Sequence, residues 1–307
     1  MGTPEFAVGI LDTIIKHNHE VVGVITAADK PAGRGQKLKY SAVKEYALAN
    51  NLNLLQPTNL KDEQFLSELK ALHANLQVVV AFRMLPEVVW KMPEYGTFNL
   101  HASLLPAYRG AAPINWAIIN GETKTGVTTF FIDDKIDTGA MILSAETEIS
   151  SQENAGELHD RLMELGSKTV AETLELIQRG NATTTIQEEH ADIKTAYKLN
   201  KENCKIDWSQ PMDDIYNLIR GLSPYPAAWC YIKDKGQEWN IKIFEAERIN
   251  ELHAEPIGKI IATKKEIKIA VADGFLKIGM LQYPGKNKMT AQQLLNGIAF
   301  SDDAIAC

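Results

Sequence analysis

The chain is poor in cysteine and in long apolar runs, and both shortages narrow what it can be. Its three cysteines, Cys204, Cys230 and Cys307, are an odd number without the spacing of a metal site. We therefore expect a reducing compartment, no disulfide framework and no bound metal. No apolar run reaches the roughly 18 residues that cross a bilayer, and the first residues lack a basic region followed by an apolar one. We expect neither a membrane span nor a signal peptide.

Positive charge is also scarce, since the 307 residues carry a net charge of −7. A negative total argues against broad, non-specific binding to nucleic acid. The distribution is uneven, because residues 201–307 hold 14 basic and 14 acidic side chains and are therefore neutral. One short window is distinctly basic: Lys30, Arg34, Lys37 and Lys39 fall within ten residues that contain no acid.

The first half of the chain alternates strand and helix patterns. Val21–Thr26 and Gln77–Phe82 are apolar runs of strand length, which is typical of buried parallel strands. Ser41–Asn50, with Ser41 as its N-cap, and Leu60–Leu72 have the pattern of amphipathic helices. Such alternation predicts an α/β fold: a doubly wound, mostly parallel, Rossmann-like sheet with sites at the carboxyl ends of its strands.

The last third of the sequence has a different pattern. After a predicted helix at Pro211–Leu222, short β-rich runs are separated by glycine and charged turns, which favours a small, OB-like β-barrel. We predict a first domain over residues 1–182, a polar linker over 183–203 and the barrel over 204–307. The first domain begins at a turn, Gly2-Thr3-Pro4, with no strand before it, so we expect a truncated chain or a start assigned at an internal methionine.

Asn99 and His101 form the candidate site. They stand two apart at the end of a predicted strand, so their side chains share a face. Asp137 follows in the loop of residues 133–139. An amide, an imidazole and a carboxylate together suit the polarisation of a carbonyl and the movement of a proton. Alone, His101 would more often be a structural residue. Nucleotide binding is not expected, because the glycines form no phosphate loop.

Three motifs carry a specific resemblance. They are Asn99-Leu100-His101 with Ser103-Leu104-Leu105-Pro106, then Tyr108–Pro113, then Asp137-Thr138-Gly139. With them, nearly the whole chain resembles the 10-formyltetrahydrofolate-dependent formyltransferases. Further segments resemble the members that act on methionyl-initiator tRNA; these are Gly2–Ala7, Pro31–Gly35, Ile206–Trp208 and Pro224–Pro226. Ala102 stands where the family commonly has glycine.

The resemblance implies an enzyme that transfers the formyl group of 10-formyltetrahydrofolate to the free α-amino group of methionyl-initiator tRNA for translation initiation. Asn99 and His101 would donate hydrogen bonds to the oxyanion, and losing one such donor typically costs about 2.7–4 kcal/mol of barrier. Asp137 would fix the protonation of the imidazole and help to carry the proton. No metal is implied.

The same resemblance implies where the two substrates bind. Folate would lie along Ser103, Leu104, Leu105 and Pro106 and against Arg83, Met84 and Leu85, with Ser103 as a turn residue and not a nucleophile. The acceptor end of tRNA would meet the basic loop through Lys30, Arg34, Lys37 and Lys39. A second, non-specific RNA surface would lie on the barrel, with candidates Lys242, Lys259, Lys264, Lys265, Lys268, Lys286 and Lys288.

Two other functions are compatible with parts of the sequence. A formyltransferase for an amino-sugar nucleotide could share Asn99, His101 and Asp137, but it would have no use for the basic loop. A non-catalytic RNA-binding module could keep the fold, but it would not need all three side chains. We expect a monomer in the bacterial cytoplasm, with an organelle matrix left open.

Overall fold

A computed structural model describes residues 1–32, 37–188 and 192–307, and for residues 31, 32 and 37 it describes the backbone alone. The helices are α1 (Glu5–Lys16), α2 (Ala42–Ala49), α3 (Glu63–Ala71), α4 (Glu87–Trp90), α5 (Pro113–Ile119), α6 (Ala155–Gln178), α7 (Met212–Gly221) and α8 (Ala291–Leu295). The strands to residue 200 are β1 (Val24–Ile25), β2 (Lys30–Ala32), β3 (Lys37–Lys39), β4 (Leu54–Leu55), β5 (Gln77–Val80), β6 (Thr97–His101), β7 (Arg109–Gly110), β8 (Lys124–Phe131), β9 (Met141–Glu148) and β10 (Thr195–Ala196). Those after it are β11 (Ala228–Asp234), β12 (Gln237–Ile249), β13 (Ile260–Ala262), β14 (Ile267–Val271), β15 (Gly274–Gln282), β16 (Met289–Thr290) and β17 (Ile305–Ala306).

The chain divides into two compact units, and the division falls within single helices and strands. The first unit comprises Met1–Pro113, Thr125–Thr147 and His159–Thr195, and the second comprises Ile114–Lys124, Glu148–Leu158 and Ala196–Cys307. The first turn of α6 therefore belongs to the second unit and the rest of that helix to the first.

The first unit is built on short sheets of α/β type. Its largest described sheet has the order β5-β6-β8-β9, in which β5 and β6 are parallel and β6 and β8 antiparallel. β1 and β4 form a second parallel pair. Gly2 connects these two sheets, because its amide donates to Ile25 O while Met1 O accepts from the amide of Val80. The start of the chain thus lies between β1 and β5.

Local sequence signals explain the helices of the first unit. The Ser41 hydroxyl accepts a hydrogen bond from the Lys44 amide and caps α2 as predicted. Helix α3 begins at Glu63 and not at Leu60, because Asp62 is the residue whose side chain caps it. Such a cap stabilises a helix by about 1 kcal/mol. The apolar sides of α3 and α4 bury Phe65, Leu69 and Val89 against Val79 of β5.

The second unit is a barrel-like antiparallel sheet. Its strands follow the order β13-β14-β15-β12-β11-β17, and β16 pairs with β15. The two ends of this path meet, because Ile260 N donates to Ala304 O and Ala306 N donates to Gly258 O. The interior holds the apolar face of α7, including Ile215 and Ile219, among strand residues such as Ile232, Ile241 and Ile243. The predicted fold class, an α/β domain followed by a small barrel, is confirmed.

Two segments from the middle of the chain complete the second unit. The Asn115 amide donates to Gly221 O (2.7 Å), and the buried Arg220 guanidinium donates to the carbonyls of Ser150 (3.1 Å) and Glu153 (2.9 Å). Burial lowers the pKa of Arg220 from its usual value. Among the helices described, none is long and apolar enough to cross a membrane.

Candidate active site

The last residues of β6 carry the two side chains that the sequence singled out. Asn99 pairs with Val79 of β5 and Phe130 of β8, and His101 pairs with Thr128 of β8, so neighbouring strands fix both backbones. His101 is buried, with 7% of the residue exposed. The partly exposed Asn99 amide group makes no hydrogen bond to any residue in the described ranges 1–32, 37–188 and 192–307. It is therefore available to a ligand.

A backbone carbonyl orients the His101 ring. Nε2 lies 2.8 Å from Tyr108 O. A carbonyl oxygen can only accept, so Nε2 must be the protonated nitrogen of this contact. Tyr108 itself has a left-handed backbone (φ 61°), and its amide donates to Lys194 O at 2.6 Å. Nδ1 of His101 is therefore the nitrogen left for chemistry.

Nδ1 faces the third residue of the predicted trio. A carboxylate oxygen of Asp137 lies 3.8 Å from it and accepts a hydrogen bond from the Gly110 amide at 2.9 Å. Asp137 has a left-handed backbone (φ 55°), and the loop then passes so close to β8 that a Cβ on Gly139 would lie 1.7 Å from Phe131 O. Only glycine fits there. The structure thus brings His101 and Asp137 together.

Sequence reasoning missed a buried glutamine at this loop. The Gln187 amide nitrogen donates to Asp137 O (2.9 Å) and to Gly139 O (2.8 Å). Its carbonyl oxygen accepts from Nε (3.0 Å) and Nη2 (2.8 Å) of Arg109. Gln187 lies in the polar segment predicted as a linker. No local pattern marks it, because its partners are 48 to 78 positions away.

The turn after His101 is held from inside the protein. The Ser103 hydroxyl is fully buried and donates to Ala107 O (2.7 Å). The Thr128 hydroxyl donates to Ser103 O (2.8 Å) and accepts from the Leu105 amide (3.2 Å). Leu105 is buried, whereas Leu104 and Pro106 are partly exposed. These bonds account for the Ser103 hydroxyl as a structural group.

The other predicted folate residues line a different space. Arg83, Met84 and Leu85 border an open cavity of about 960 Å³ together with residues 58–61 and 86–88 and Lys91. The Arg83 guanidinium donates to Pro57 O and Thr58 O. Met84 is 66% exposed there, whereas Leu85 is buried. None of Ser103–Pro106 borders this cavity.

The basic loop is based on a two-stranded hairpin. Lys30 of β2 lies opposite Lys39 of β3, and both side chains are exposed. The Lys37 backbone pairs with Ala32, whereas Arg34 lies outside the described residues. Next to the hairpin, Lys44 forms an ion pair with Asp29 (2.5 Å). The hydrogen bond from Lys44 lowers the pKa of the Asp29 carboxyl.

The lysines of the second unit differ in their surroundings. Lys268 and Lys288 lie near carboxylates, at 3.9 Å from Glu251 and Glu245, respectively. In contrast, Lys201 and Lys205 form no ion pair with any carboxylate that the structure describes, and their amines lie 5.2 and 5.8 Å from the centre of the Trp229 ring. In the described part of the chain, no three His, Cys, Asp or Glu side chains are grouped to hold a metal ion.

Comparison with protein families finds two matches in chain order. The family model described as formyl transferase matches residues 1–174, and the one described as formyl transferase, C-terminal domain, matches residues 198–299.

Two curated relatives are similar over almost their whole length. The methionyl-tRNA formyltransferase of Flavobacterium johnsoniae is 75% identical, with 99% of this chain and 96% of the relative covered. That of Bacteroides thetaiotaomicron is 52% identical, with coverage of 98% and 95%.

Solved structures share the fold at low identity. One is WlaRD, a sugar 3N-formyl transferase crystallised with dTDP and 5-N-formyl-THF (TM-score 0.64, 22% identity, 93% of this chain and 97% of that chain covered). Another is HypX of Aquifex aeolicus with tetrahydrofolic acid (TM-score 0.60, 22% identity, 81% and 43% covered).

Proposed function

This chain belongs to the formyl transferase family in both of its matched segments, and on that basis we propose that it formylates methionyl-initiator tRNA. The formyl donor is 10-formyltetrahydrofolate, and the products are N-formylmethionyl-tRNA and tetrahydrofolate, which serve translation initiation. The observation that carries the proposal is the 75% identity, over almost the entire chain, to a methionyl-tRNA formyltransferase.

The reaction requires no covalent bond between the protein and either substrate. The methionyl nitrogen forms a bond to the formyl carbon, the bond from that carbon to N10 of the folate breaks, and one proton passes from the amine to N10. An α-amine has a pKa near 8 in water, so a sizeable fraction is uncharged and nucleophilic at neutral pH. The protein's tasks are to orient two substrates, to stabilise negative charge on the formyl oxygen and to provide a route for the proton.

We propose that His101 performs its part of this work through Nδ1. Nε2 is occupied by Tyr108 O, so Nδ1 is the ring atom that can face the reactants. A charged ring donates from Nδ1 to the developing oxyanion, and a neutral ring accepts the amine's proton there. The Asp137 carboxylate at 3.8 Å attracts a positive charge on this ring and so supports both steps.

Asn99 supplies the second donor in this proposal. Its amide shares a face of β6 with His101 and forms no hydrogen bond to the described residues. Because no described residue competes for this amide, it can donate to the oxyanion without breaking a bond to that part of the protein.

We propose that the folate donor binds in the open cavity beside Arg83–Leu85. Its wall includes the exposed side chains of Met84 and Val88, which suit the aromatic ring of a pterin, and its rim carries Lys61, which suits a carboxylate tail. We propose that the turn Ser103–Pro106 also contacts the folate. Its contribution would come from the turn's backbone and from Leu104 and Pro106, since the Ser103 hydroxyl is committed to Ala107 O.

We propose that RNA meets the protein at two places. The first is the basic loop, where Lys30 and Lys39 flank the base of the hairpin and Lys37 lies on its second strand. Arg34, which lies outside the described residues, is the fourth basic residue of this loop. The second is a surface of the barrel formed by Trp229, Tyr231, Lys201, Lys205 and Lys242, which we call the lysine–aromatic patch.

The lysine–aromatic patch combines positive charge with planar rings. Trp229 and Tyr231 are partly exposed on one face of β11, with ring centres 5.3 Å apart. Lys242 of β12 pairs opposite Trp229, and its amine donates to Pro226 O, next to a Tyr225 side chain that is 81% exposed. Lysines bind phosphates, and aromatic rings stack on unpaired bases. Lys201 and Lys205 lie beside these rings and form no ion pair with a described carboxylate.

The test is a formyl-transfer assay that offers methionyl-initiator tRNA and an amino-sugar nucleotide side by side, with 10-formyltetrahydrofolate as donor. We expect transfer to the tRNA and none to the sugar. Transfer to the sugar alone, or to neither acceptor, would overturn the proposal. We also propose that the chain acts as a monomer in the bacterial cytoplasm, and light scattering at micromolar concentration checks the monomer.

A further inference from the structure

We infer that Gln187 is a positioning residue for formyl transfer, holding Asp137 and the Tyr108–Gly110 segment in one fixed arrangement. The inference rests on the proposed function, since it gives Gln187 a role in the reaction that Asp137 and His101 perform. Gln187 would touch neither substrate, and it would act only through the two groups that it holds.

All four hydrogen-bonding positions of the Gln187 side chain are used. Both hydrogens of the amide nitrogen go to carbonyls of the Asp137 loop, and both lone pairs of the oxygen go to Arg109. The residue is only 6% exposed. Turning the amide over would place its hydrogens against the guanidinium and its oxygen against two carbonyls. The side chain therefore has one orientation here.

The bonds of Gln187 fix the loop at Asp137 and directly after it. They hold the carbonyl of Asp137 itself and, two residues on, that of Gly139. A residue with a left-handed backbone (φ 55°) is held here by contacts outside its own turn. With the backbone fixed, the Asp137 carboxylate keeps its place between the Gly110 amide and Nδ1 of His101.

The oxygen of Gln187 holds the other half of the arrangement. Arg109, which it binds, stands between Tyr108, whose carbonyl orients His101, and Gly110, whose amide binds Asp137. Residues on either side of Gln187 support both parts again. Lys194 O accepts from the Tyr108 amide, and Thr185 exchanges backbone hydrogen bonds with Met141, which follows the Asp137 loop. One side chain thus links the support of the imidazole to the support of the carboxylate.

Two substitutions separate the functions of the side chain. Gln187→Glu keeps two acceptor oxygens for Arg109 but removes both donors and puts negative charge against Asp137 O and Gly139 O. Gln187→Met keeps the approximate volume and removes every bond. Gln292, which is exposed on α8, gives the matched control Gln292→Met.

The test compares kcat, KM for each substrate, the pH profile of kcat and the melting temperature in all three variants. Misplacing a reacting group by about 1 Å can cost on the order of 100-fold in rate. We expect both Gln187 variants to lose about that much in kcat, with KM for tRNA within about twofold and an altered pH profile. Gln292→Met should behave like the unmodified protein. A folded Gln187→Glu with unchanged kcat and pH profile would overturn the inference.

A second readout needs no substrate and so separates this inference from the proposed function. The ring nitrogens of His101 report the approach of Asp137 through their NMR shifts. We expect these shifts, compared at one fixed pH, to change in Gln187→Glu and in a folded Gln187→Met. Shifts identical to those of the unmodified protein would overturn the inference even if methionyl-tRNA is the substrate. Failure of the wild-type formylation assay would count against the proposed function alone.

Discussion

Nδ1 of His101 lies 3.8 Å from the carboxylate of Asp137, beyond hydrogen-bonding distance but within range of a strong charge interaction. The carboxylate is directed elsewhere by its bond to the Gly110 amide. Asp137 is therefore placed to act on the charge of the ring while leaving Nδ1 free for a reactant.

Replacing Asp137 by Asn should remove this influence while keeping the shape of the loop. Proton transfer by a positioned group contributes about 10²- to 10⁴-fold to rate, so we expect kcat to fall by about that range. Steady-state kinetics with methionyl-initiator tRNA measure it, and the exposed neighbour Asp134→Asn is the control. Equal losses in both variants would contradict the assignment.

His101 should be protonated on Nε2 whenever its ring is neutral. The reason is the Tyr108 carbonyl at 2.8 Å, which accepts a hydrogen bond and cannot donate one. Nitrogen-15 NMR of the labelled protein distinguishes the two tautomers directly. A signal from a ring protonated on Nδ1 alone would refute the orientation described above.

Replacing Asn99 by Ala should affect catalysis far more than stability. The side chain makes no hydrogen bond within the described chain, so its removal leaves none of the described groups unpaired. Loss of an oxyanion donor costs about 2.7–4 kcal/mol, or roughly 100- to 1,000-fold in kcat. Kinetics and thermal melting of the same preparation give both quantities. A large drop in melting temperature with near-normal turnover would assign Asn99 to the fold instead.

The lysine–aromatic patch should govern the salt dependence of RNA binding. In a variant with Lys201→Ala and Lys205→Ala, RNA binding should depend less on salt. The slope of the logarithm of the binding constant against the logarithm of the salt concentration should become less negative by about 0.7–0.9 for each phosphate that the protein no longer neutralises. Trp229→Ala should weaken binding by about 1–3 kcal/mol if a base stacks on the ring. Lys268→Ala is the matched control, since that amine lies near Glu251 and Glu266. Identical slopes in all variants would place the RNA elsewhere.

The cysteines should differ sharply in reactivity. Burial raises the pKa of the Cys230 thiol to about 12 and also raises that of Cys204. The thiolate is the reactive form, so at pH 8 only about one Cys230 in 10⁴ is in that form, and the fraction grows only as the pH rises toward 12. We expect a thiol reagent to modify only the partly exposed Cys307 in the folded protein. A Cys307→Ser variant should therefore not react with the thiol reagent until it unfolds.

Local patterns in the sequence predicted what local interactions decide. The Ser41 cap, the apolar runs of β5 and β6 and the juxtaposition of Asn99 with His101 depend on neighbours within a few residues. The lengths of elements were less predictable: β1 spans Val24–Ile25 and not the whole run from Val21 to Thr26, because parallel pairing with β4 is limited to two residues.

Contacts between residues far apart in the chain could not be predicted from the sequence. Gln187 resembles any polar residue of a loop, and its value to the site comes from partners brought together by the fold. Whether a barrel lysine such as Lys268 or Lys288 lies near a carboxylate likewise depends on which strands the fold brings together. Sequence could therefore supply the candidates for chemistry but not the residues that hold them in place.

The path of helix α6 through the boundary of the two units constrains how this protein can diversify. The second unit is assembled from three separate stretches, Ile114–Lys124, Glu148–Leu158 and Ala196–Cys307. Simple fusion of a new C-terminal segment after residue 196 would replace one stretch and leave the carbonyls of Ser150 and Glu153 without the Arg220 donor. To exchange the second unit between relatives without losing such bonds, all three stretches have to be exchanged together. Because parts of the first unit lie between them in the sequence, the two units are expected to be inherited together.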